Sequence, residues 1–403
     1  MEGRASEISP STLIYPLFIG PTLQDLSPAL PNQWAVGVSQ LEAFLKPLIQ
    51  AGLSTVLLFG HGAPRDTEGT SADSPTAPLL QAIRLLKAKF PSLVVVCDVC
   101  LCAYVTSGCC GIVHPTNSHT IDTWATLKRL GQIAVAYAEA GADVIAPSDM
   151  QDCTVMECKR ALFAAGLGER TALMSYSAKF CSCLYGPFRA VQKGGLGGAE
   201  CRDGDSEGRA FNTSEEKALN TSESRKANPS ESRMATSDYP DPTALNKSEY
   251  SEGRPYPDSE SPNPTPMNSS DSPTLTYPNP TLLSRATAQL PFGAMGLAMR
   301  ALHRDIEEGA DILMIKPAGF CGDVVREAKA LFPAYPIAAF QTAGEYAMIH
   351  WAAENGAFSK AEAVRESIQA LLRAGAGIVV SYWVPQLLLG RWVGDWREEK
   401  RMD

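Results

Sequence analysis

Short apolar runs alternate with amphipathic stretches in both halves of this chain, and this alternation limits the folds that the sequence supports. The eight runs are LIYPLFIG (13–20), STVLLFG (54–60), LVVVCDV (93–99), DVIAPS (143–148), ALMSYS (172–177), DILMIK (311–316), IAAFQ (337–341) and GIVVSY (377–382). Stretches with helical periodicity, such as TWATLKRLGQIAVAYAEAGA (123–142), separate them. Continuous apolar runs are typical of parallel strands covered by helices, and strands separated by helices form βαβ units.

About eight βαβ units is the number that closes a (β/α)8 barrel, a fold of roughly 250 residues or more. The alternative is an open doubly wound sheet, which requires a glycine-rich phosphate-binding loop after its first strand. The segment FGHGAPRDTEG (59–69) follows the second run instead and matches that loop poorly. We therefore predict an α/β fold, a (β/α)8 TIM barrel.

One long segment interrupts the alternation. Residues 194–284 are dominated by Ser, Pro, Asn, Glu and Thr and show no apolar period. Such a composition does not bury enough surface to offset the entropy of ordering the chain, so we predict a long disordered insert. The predicted organisation is a short N-terminal arm (1–12), the first part of the barrel (13–193), the low-complexity insert (194–284) and the second part of the barrel (285–403).

Composition and charge exclude several classes of protein. The 403 residues carry a formal net charge of −9, whereas a nucleic-acid partner requires a basic face. No apolar run reaches the roughly 18 residues of a membrane span, and the N-terminus shows no signal-peptide pattern. We expect a cytoplasmic protein in the reducing cytosol, where clustered cysteines more often bind metal or react than form disulfides. The odd total of 11 cysteines also fits no simple disulfide framework.

Polar residues follow the apolar runs at the points where the predicted strands end. In a (β/α)8 barrel the chemistry lies at the carboxyl ends of the strands. The polar residues at these ends are Asp98, Ser148, Asp149, Lys179, Lys316 and Tyr382. We therefore expect them to line one rim of the barrel.

Two of these residues, Lys179 and Lys316, are lysines at the ends of buried strands. A buried lysine costs free energy unless it is paired or neutral, and for either lysine alone a salt bridge is as common a role as catalysis. Two lysines on one rim favour catalysis, because each ammonium lowers the pKa of the other towards neutrality. A neutral amine attacks a ketone to form a Schiff base, which suits an aldolase or a condensing dehydratase.

Five cysteines lie close together in CDVCLCAYVTSGCCG. Cys100, Cys102 and Cys110 have the spacing C-x-C-x7-C in the loop after the third strand. Three thiolates with an open position are typical of a catalytic zinc site. Cys97 is interpreted as a buried strand residue and Cys109 as a spare thiol. A disulfide between Cys100 and Cys102 would close a strained loop, so metal binding is the favoured interpretation.

Two arginines flank the insert. Arg189 and Arg285 lie in the predicted long loop after the first lysine strand, where a substrate lid would be placed. A guanidinium group matches a carboxylate through two parallel hydrogen bonds. An isolated arginine is more often a solvated surface residue, so both roles stay open on spacing alone.

The motifs at these positions resemble those of the porphobilinogen synthase family, also called 5-aminolevulinate dehydratase, in its zinc-dependent animal-like branch. The similar stretches are LIYPLF, DVCLC, APSDM, MSYSAKF, YGPFR, GADILMIKP, GEYAMI and SYWVPQLL; the insert and the extreme N-terminus fall outside them. The resemblance implies a lyase that condenses two molecules of 5-aminolevulinate into porphobilinogen, with loss of two waters, in tetrapyrrole and heme biosynthesis. It also implies a (β/α)8 barrel.

The resemblance further implies a role for each candidate residue. Lys316 would form a Schiff base with the first substrate, and Lys179 would form or assist one with the second. Asp98 would be a charge partner or proton carrier beside them. The ligands of one catalytic Zn²⁺ per chain, with no organic cofactor, would be Cys100, Cys102 and Cys110.

The same resemblance assigns the substrate carboxylates. Arg189, Arg285 and Gln289 match the residues that hold the carboxylate of the second substrate, and Tyr382 matches a hydroxyl that binds the first. The family usually has serine in VSGEY, whereas this chain reads TAGEY with Ala343, which removes a hydroxyl from the first carboxylate site. A lost neutral hydrogen bond costs on the order of 1 kcal/mol.

Other positions also depart from the family pattern. The loop IKPAGFCGD is less rich in Gly and Pro than usual, and SDMQDC replaces the usual SDMMDG. Cys109 and Thr287 stand where part of the family has ligands of a second, looser zinc site, so we do not expect that site. The N-terminal arm, which embraces a neighbouring subunit in this family, is much shorter here. The resemblance therefore implies a homo-oligomer without specifying the usual octamer.

Two alternatives to an active porphobilinogen synthase stay open at this point. A Schiff-base aldolase would need one essential lysine and no thiolate metal site, so the C-x-C-x7-C spacing argues against it. A degenerate barrel would bind zinc without turnover. Ala343 and the insert favour this second alternative, whereas both lysines and the three cysteines argue against it.

Overall fold

The structure is a computed structural model that describes residues 7–193 and 289–393. Within these residues, eight parallel strands form a closed barrel. The strands are β1 (Leu13–Gly20), β2 (Thr55–Gly60), β3 (Val94–Val99), β4 (Val144–Pro147), β5 (Ala172–Lys179), β6 (Ile312–Lys316), β7 (Ile337–Phe340) and β8 (Ile378–Val380). Each strand pairs with the next along the chain, and β8 closes the barrel on β1, where Leu13 pairs with Val379. The predicted TIM barrel is confirmed.

Ten α-helices accompany the strands in the described part of the chain. They are α1 (Val38–Gln50), α2 (Pro78–Lys89), α3 (Thr123–Ala140), α4 (Thr154–Ala164), α5 (Gly186–Lys193), α6 (Met295–Glu307), α7 (Gly322–Leu331), α8 (Ala343–Glu354), α9 (Lys360–Ala374) and α10 (Val384–Leu389). The stretch 123–142, which was predicted to be helical, forms α3, and Gly141 caps its carboxyl end. The φ angle of Gly141 is 113°, a left-handed conformation that only glycine adopts at little cost.

The apolar runs are buried on both sides of the barrel wall. All eight residues of β1 are buried, as are all four residues of β4 and of β7. Helices cover the outer face of such a wall while side chains from opposite strands fill the interior, so both faces of each strand need apolar residues. The ionisable side chains are left to the strand ends, where the site is found.

Two small sheet additions lie next to the barrel. The strand Trp34–Gly37 pairs in parallel with β1. The strand Gln24–Asp25 pairs in antiparallel orientation with Trp34–Gly37. A second small sheet joins Val113–His114 to Asn117–Ile121, directly after the cysteine-rich segment. These short strands lie in the segments that follow β1 and β3 in the chain.

Several predicted features lie outside the described residues: the insert 194–284, Arg285, Thr287 and the first six residues of the arm. The chain leaves the described part after α5 and re-enters it at Gln289. The backbone N–H of Leu290 donates to the carbonyl of Lys179 at 3.0 Å, so Gln289 lies beside the end of β5. Among the described residues, no helix is long and apolar enough to cross a membrane.

Candidate active site

Lys179 and Lys316 are the last residues of β5 and β6, and they are direct partners in the parallel register of these strands. Both are buried, with 8% and 6% of their surface exposed. Paired residues of adjacent strands point to the same face, and both side chains line one small cavity. The structure therefore brings together the two lysines that were predicted to share a rim.

Four aromatic rings surround the amine of Lys316, and we call them the aromatic cage. The ring centroid of Phe340 lies 3.8 Å from Lys316 Nζ. The other three centroids lie at 5.3 Å (Tyr176), 5.4 Å (Tyr185) and 5.6 Å (Phe188). Burial, together with the positive charge of the neighbouring lysine, lowers the pKa of Lys316 to about 7. A substantial fraction of neutral amine is therefore present at neutral pH.

The amine of Lys179 has a polar environment. It donates a hydrogen bond to the carbonyl oxygen of Ser148 at 2.6 Å. Burial acts to lower the pKa of Lys179, but negative charge on the nearby cysteines, and to a smaller extent on Asp98, outweighs it and raises the pKa. Lys179 is thus an ammonium group where Lys316 is close to neutral.

Cys100, Cys102 and Cys110 form a cluster, with all three Sγ atoms within 4.8 Å of one another. The cysteines of the described residues are free thiols. Zinc–sulfur bonds of about 2.3 Å in tetrahedral geometry place the sulfurs roughly 3.8 Å apart, so the cluster fits this ion with small adjustments. Cys109 is not part of the cluster, and its Sγ lies 3.8 Å from the carbonyl oxygen of Ser107.

Asp98 is a neighbour of both lysines and of Cys102. It is the fifth residue of β3 and lines the same cavity as Lys316 and Cys102. Burial, and then negative charge on Cys102, raises the pKa of Asp98 to about 7. A carboxyl group with such a pKa both takes up and releases protons at neutral pH.

Three of the predicted carboxylate-binding residues are described, and they lie in the cavity, in helix α5 and next to the aromatic cage. Gln289 is buried and lines the cavity. Arg189 is half-buried in the first turn of α5 and directly follows Phe188 of the aromatic cage. Tyr382 is buried behind the cage, with its ring centroid 6.3 Å from that of Phe340.

Comparison with known proteins identifies the family. The family model for delta-aminolevulinic acid dehydratase matches residues 3–222 and 272–389. The chain belongs to the delta-aminolevulinic acid dehydratase family. It is 37% identical to the dehydratase of Bos taurus, over 95% of this chain and 92% of that protein. It is 35% identical to the dehydratase of Eremothecium gossypii, over 95% and 88%.

A solved member of the family has the same fold. The crystal structure of delta-aminolevulinic acid dehydratase from Toxoplasma gondii ME49, in complex with porphobilinogen, matches with a TM-score of 0.69 at 24% identity. The match covers 95% of this chain and 85% of that chain. The family and the lyase class predicted from the motifs are confirmed, and the comparisons do not favour an aldolase.

One of the positions at which this dehydratase departs from its family, Ala343, opens helix α8. Ala343 is the first residue of α8 and is 1% exposed. The preceding Thr342 caps the helix, and its hydroxyl donates to Glu345 Oε2 at 2.8 Å. The backbone N–H of Thr342 donates to the same carboxylate at 2.5 Å. The Thr342 hydroxyl is therefore engaged within the helix cap.

Neither Glu345 nor the aromatic cage was predicted from the sequence. Glu345 also accepts a hydrogen bond from the backbone N–H of Gly319 at 2.5 Å, and this bond ties the loop after β6 to α8. The spacing T-x-x-E before an apolar stretch is a capping-box signature that would have revealed it. The cage has no such local signal, because its rings come from β5, β7, α5 and the turn before α5.

Proposed function

We propose that this dehydratase condenses two molecules of 5-aminolevulinate into porphobilinogen, with loss of two waters. The observation that carries the proposal is one cavity lined by a nearly neutral lysine, a charged lysine and two thiols of the cysteine cluster. The names of the relatives and the porphobilinogen bound in the Toxoplasma gondii structure support the same reaction.

Lys316 acts as the nucleophile towards the first substrate. Its neutral amine adds to the ketone carbon, both amine protons pass to the ketone oxygen, and this oxygen leaves as water. A C=N bond then joins Nζ to the substrate. Asp98 lines the same cavity and has a pKa of about 7, so it is suited to carry these protons. The aromatic cage excludes bulk water from the amine.

The second substrate is assigned to the side of the cavity that holds Lys179 and the cysteine cluster. Cys100, Cys102 and Cys110 would hold one Zn²⁺, which supplies Lewis-acid polarisation of a carbonyl oxygen when it is bound. Hydrogen bonding to the other two thiols, and then burial, raises the pKa of Cys100 well above its ordinary value. Metal binding therefore releases protons from this cluster and is expected to weaken as pH falls.

The carboxylates of the two substrates are assigned to separate residues. Arg189, Arg285 and Gln289 are proposed to bind the carboxylate of the second substrate; the cavity position of Gln289 supports this, and Arg285 lies outside the described residues. Tyr382 is proposed to bind the carboxylate of the first substrate. Its position behind Phe340, on the same side of the barrel as Lys316, supports the assignment.

Two further properties belong to the proposal. We place the enzyme in the cytosol, because a cluster of three cysteines without a disulfide is typical of a reducing compartment. We also propose a homo-oligomer, which is supported by the half-exposed apolar side chains of Met348 and Trp351 on α8. No nucleic-acid or membrane partner is proposed.

The test is an assay of pyrrole formation with a metal-depleted control. The purified protein is incubated with 5-aminolevulinate under reducing conditions, and porphobilinogen is followed by its colour reaction. Product should disappear with a chelator and return with zinc. Cys102→Ser should lose bound zinc and rate together, whereas the exposed Cys183→Ser should lose neither. Zinc binding without product would show a degenerate barrel, and product formation unaffected by Cys102→Ser would refute the metal assignment.

A further inference from the structure

The loop that carries the cysteine cluster is held by a neighbouring loop of the barrel rim. We call residues 100–112 the cysteine loop and residues 64–73, which follow β2, the clamp segment. Asp66 of the clamp segment and Val105 of the cysteine loop form an isolated parallel β-bridge. Asp66 N–H donates to the Tyr104 carbonyl at 3.1 Å, and Thr106 N–H donates to the Asp66 carbonyl at 2.8 Å. The bridge therefore falls between Cys102 and Cys110.

The side chain of Asp66 gives the clamp segment its shape. Its carboxylate accepts hydrogen bonds from the backbone N–H groups of Glu68 at 2.9 Å, Gly69 at 2.5 Å and Thr70 at 3.1 Å. These bonds and one from the Thr70 hydroxyl lower the pKa of Asp66, although burial opposes them. The ionised Asp66 side chain thus stabilises a tight turn over residues 66–70.

Arg129 on α3 fixes this turn to the body of the barrel. Its Nε donates to the Glu68 carbonyl at 3.1 Å, and its Nη2 donates to the Gly69 carbonyl at 2.9 Å. The same guanidinium forms a two-pronged ion pair with Asp73, with N–O distances of 2.6 and 2.7 Å. The two side chains are only 12% and 22% exposed, so solvent screens the pair weakly.

The cysteine loop is packed closely against these supports. A Cβ added to Gly69 would lie 2.9 Å from a methyl carbon of Leu101, and a Cβ added to Gly60 would lie 2.0 Å from the Tyr104 hydroxyl oxygen. The Tyr104 hydroxyl also lies 3.3 Å from that of Tyr137 on α3. Leu101 and Tyr104 flank Cys102 in the chain, so the position of this thiol depends on both contacts.

We propose that Asp66 and Arg129 are positioning residues for the metal site, and that they hold the cysteine loop in the conformation that gathers the three thiols. This inference rests on the proposed function, because it assumes that the cysteine cluster binds a metal ion. Residues that orient metal ligands typically change metal affinity by about 10- to 100-fold when they are replaced. A loop released from its clamp would have to be ordered again by the ion, and this cost would appear as weaker binding.

The experiment is a titration of the metal-free protein with cobalt(II), a coloured probe whose thiolate bonds give a charge-transfer absorbance. Affinity is measured by competition with a chelator for the wild type, Asp66→Ala and Arg129→Gln. The matched control is Lys159→Gln, which breaks a similar ion pair with Asp311 (3.2 Å) on the outside of the barrel. Asp73→Asn is a milder variant, which keeps an acceptor beside Arg129 and serves if the first two do not fold.

Asp66→Ala and Arg129→Gln should bind cobalt about 10- to 100-fold more weakly than the wild type. The cobalt affinity of Asp73→Asn should lie between theirs and that of the wild type. Lys159→Gln should match the wild type. Excess zinc should restore most of the activity of the clamp variants, because the reacting groups themselves are unchanged. Equal affinity in all variants would overturn the inference and leave the proposed function intact. A wild type without the thiolate absorbance would overturn both this inference and the assignment of the cysteine cluster as the metal site, whereas pyrrole formation tests the reaction itself.

Discussion

Lys179 and Lys316 are paired residues of adjacent strands, yet their pKa values are shifted in opposite directions. The amine of Lys316 lies 3.8 Å from the ring centroid of Phe340, whereas that of Lys179 donates to the Ser148 carbonyl at 2.6 Å. Charge on one lysine disfavours charge on the other, so Lys316 is close to neutral while Lys179 stays an ammonium group. The surroundings of the two amines, rather than their positions in the strands, set their different charge states.

Replacing Lys316 should abolish the Schiff base and stabilise the fold. Lys316→Met should give no borohydride-trapped adduct with 5-aminolevulinate by mass spectrometry. The unfolded lysine keeps its ordinary pKa of 10.5, while burial lowers the folded value to about 7. Folding therefore opposes protonation of Lys316, and the cost is greatest below about pH 7 and vanishes above about pH 10.5. We expect Lys316→Met to be more stable by on the order of 4 kcal/mol at neutral pH.

Chemical unfolding at several pH values checks this gain. Lys159→Met serves as the control, because Lys159 is a half-buried lysine whose ion pair with Asp311 lies away from the cavity. It should show no such gain. Equal stability of Lys316→Met and the wild type at pH 7 would contradict the lowered pKa.

Adduct formation should depend on pH through the neutral amine of Lys316. The rate of trapping should rise as pH rises through about 7, because the charged form is not a nucleophile. Lys179→Met removes a nearby positive charge, which raises the pKa of Lys316 and moves the rise to higher pH. Single-turnover trapping across the neutral range measures both curves. An unchanged midpoint in Lys179→Met would show that burial alone sets this pKa.

Restoring the family serine should improve substrate binding. Ala343→Ser should lower KM about fivefold with little change in kcat, as expected for a regained hydrogen bond of about 1 kcal/mol. The Thr342 hydroxyl does not substitute for the missing serine, because it donates to Glu345. Steady-state kinetics of Ala343→Ser and of Ala353→Ser, in the last turn of the same helix, measure the effect. Equal KM values for both variants would show that another group already serves this carboxylate.

Cys153 should tolerate glycine but not a β-branched residue. Its φ angle is 70°, a left-handed conformation that is strained for non-glycine residues, and the family usually has glycine there. Cys153→Val should lose about 1–3 kcal/mol of stability, whereas Cys153→Gly should be close to neutral, because relief of strain offsets the greater freedom of the unfolded chain. Urea unfolding tests this, with Met156→Val on the exposed face of α4 as the control. A Val variant as stable as the wild type would refute the strain.

Gly344 should be required for the approach of α8 to the turn before α5. A Cβ there would lie 2.5 Å from the carbonyl oxygen of Leu184 and 2.6 Å from its Cα. Leu184 precedes Tyr185 of the aromatic cage, so Gly344→Ala should lower kcat as well as stability, the latter by about 1–3 kcal/mol. Gly322→Ala at the start of α7 is the control, because a Cβ there meets nothing within 4 Å. Normal activity of Gly344→Ala would show that the turn yields without moving the cage.

Much of this site was predictable because parallel strands bring distant segments together in a regular way. The carboxyl ends of β3, β5 and β6 meet at one rim, so residues that follow apolar runs were expected to be neighbours, and Asp98, Lys179 and Lys316 line one cavity. The cysteine cluster was predictable from local spacing alone. Arg285 and the insert lie outside the described residues, and these predictions stay untested.

The amino-acid sequence by itself determined the barrel and the candidate residues of the site, because periodicity, strand ends and cysteine spacing are local patterns, and its motifs were enough to identify the family. The tertiary structure decided how those residues behave. The pKa of Lys316 depends on the burial and neighbouring charge provided by four rings and a second lysine, and the cysteine loop depends on Asp66 and Arg129 from other parts of the chain. Desolvation of an amine and support of a loop both depend on residues that are distant in the sequence. These residues become neighbours only when the chain folds.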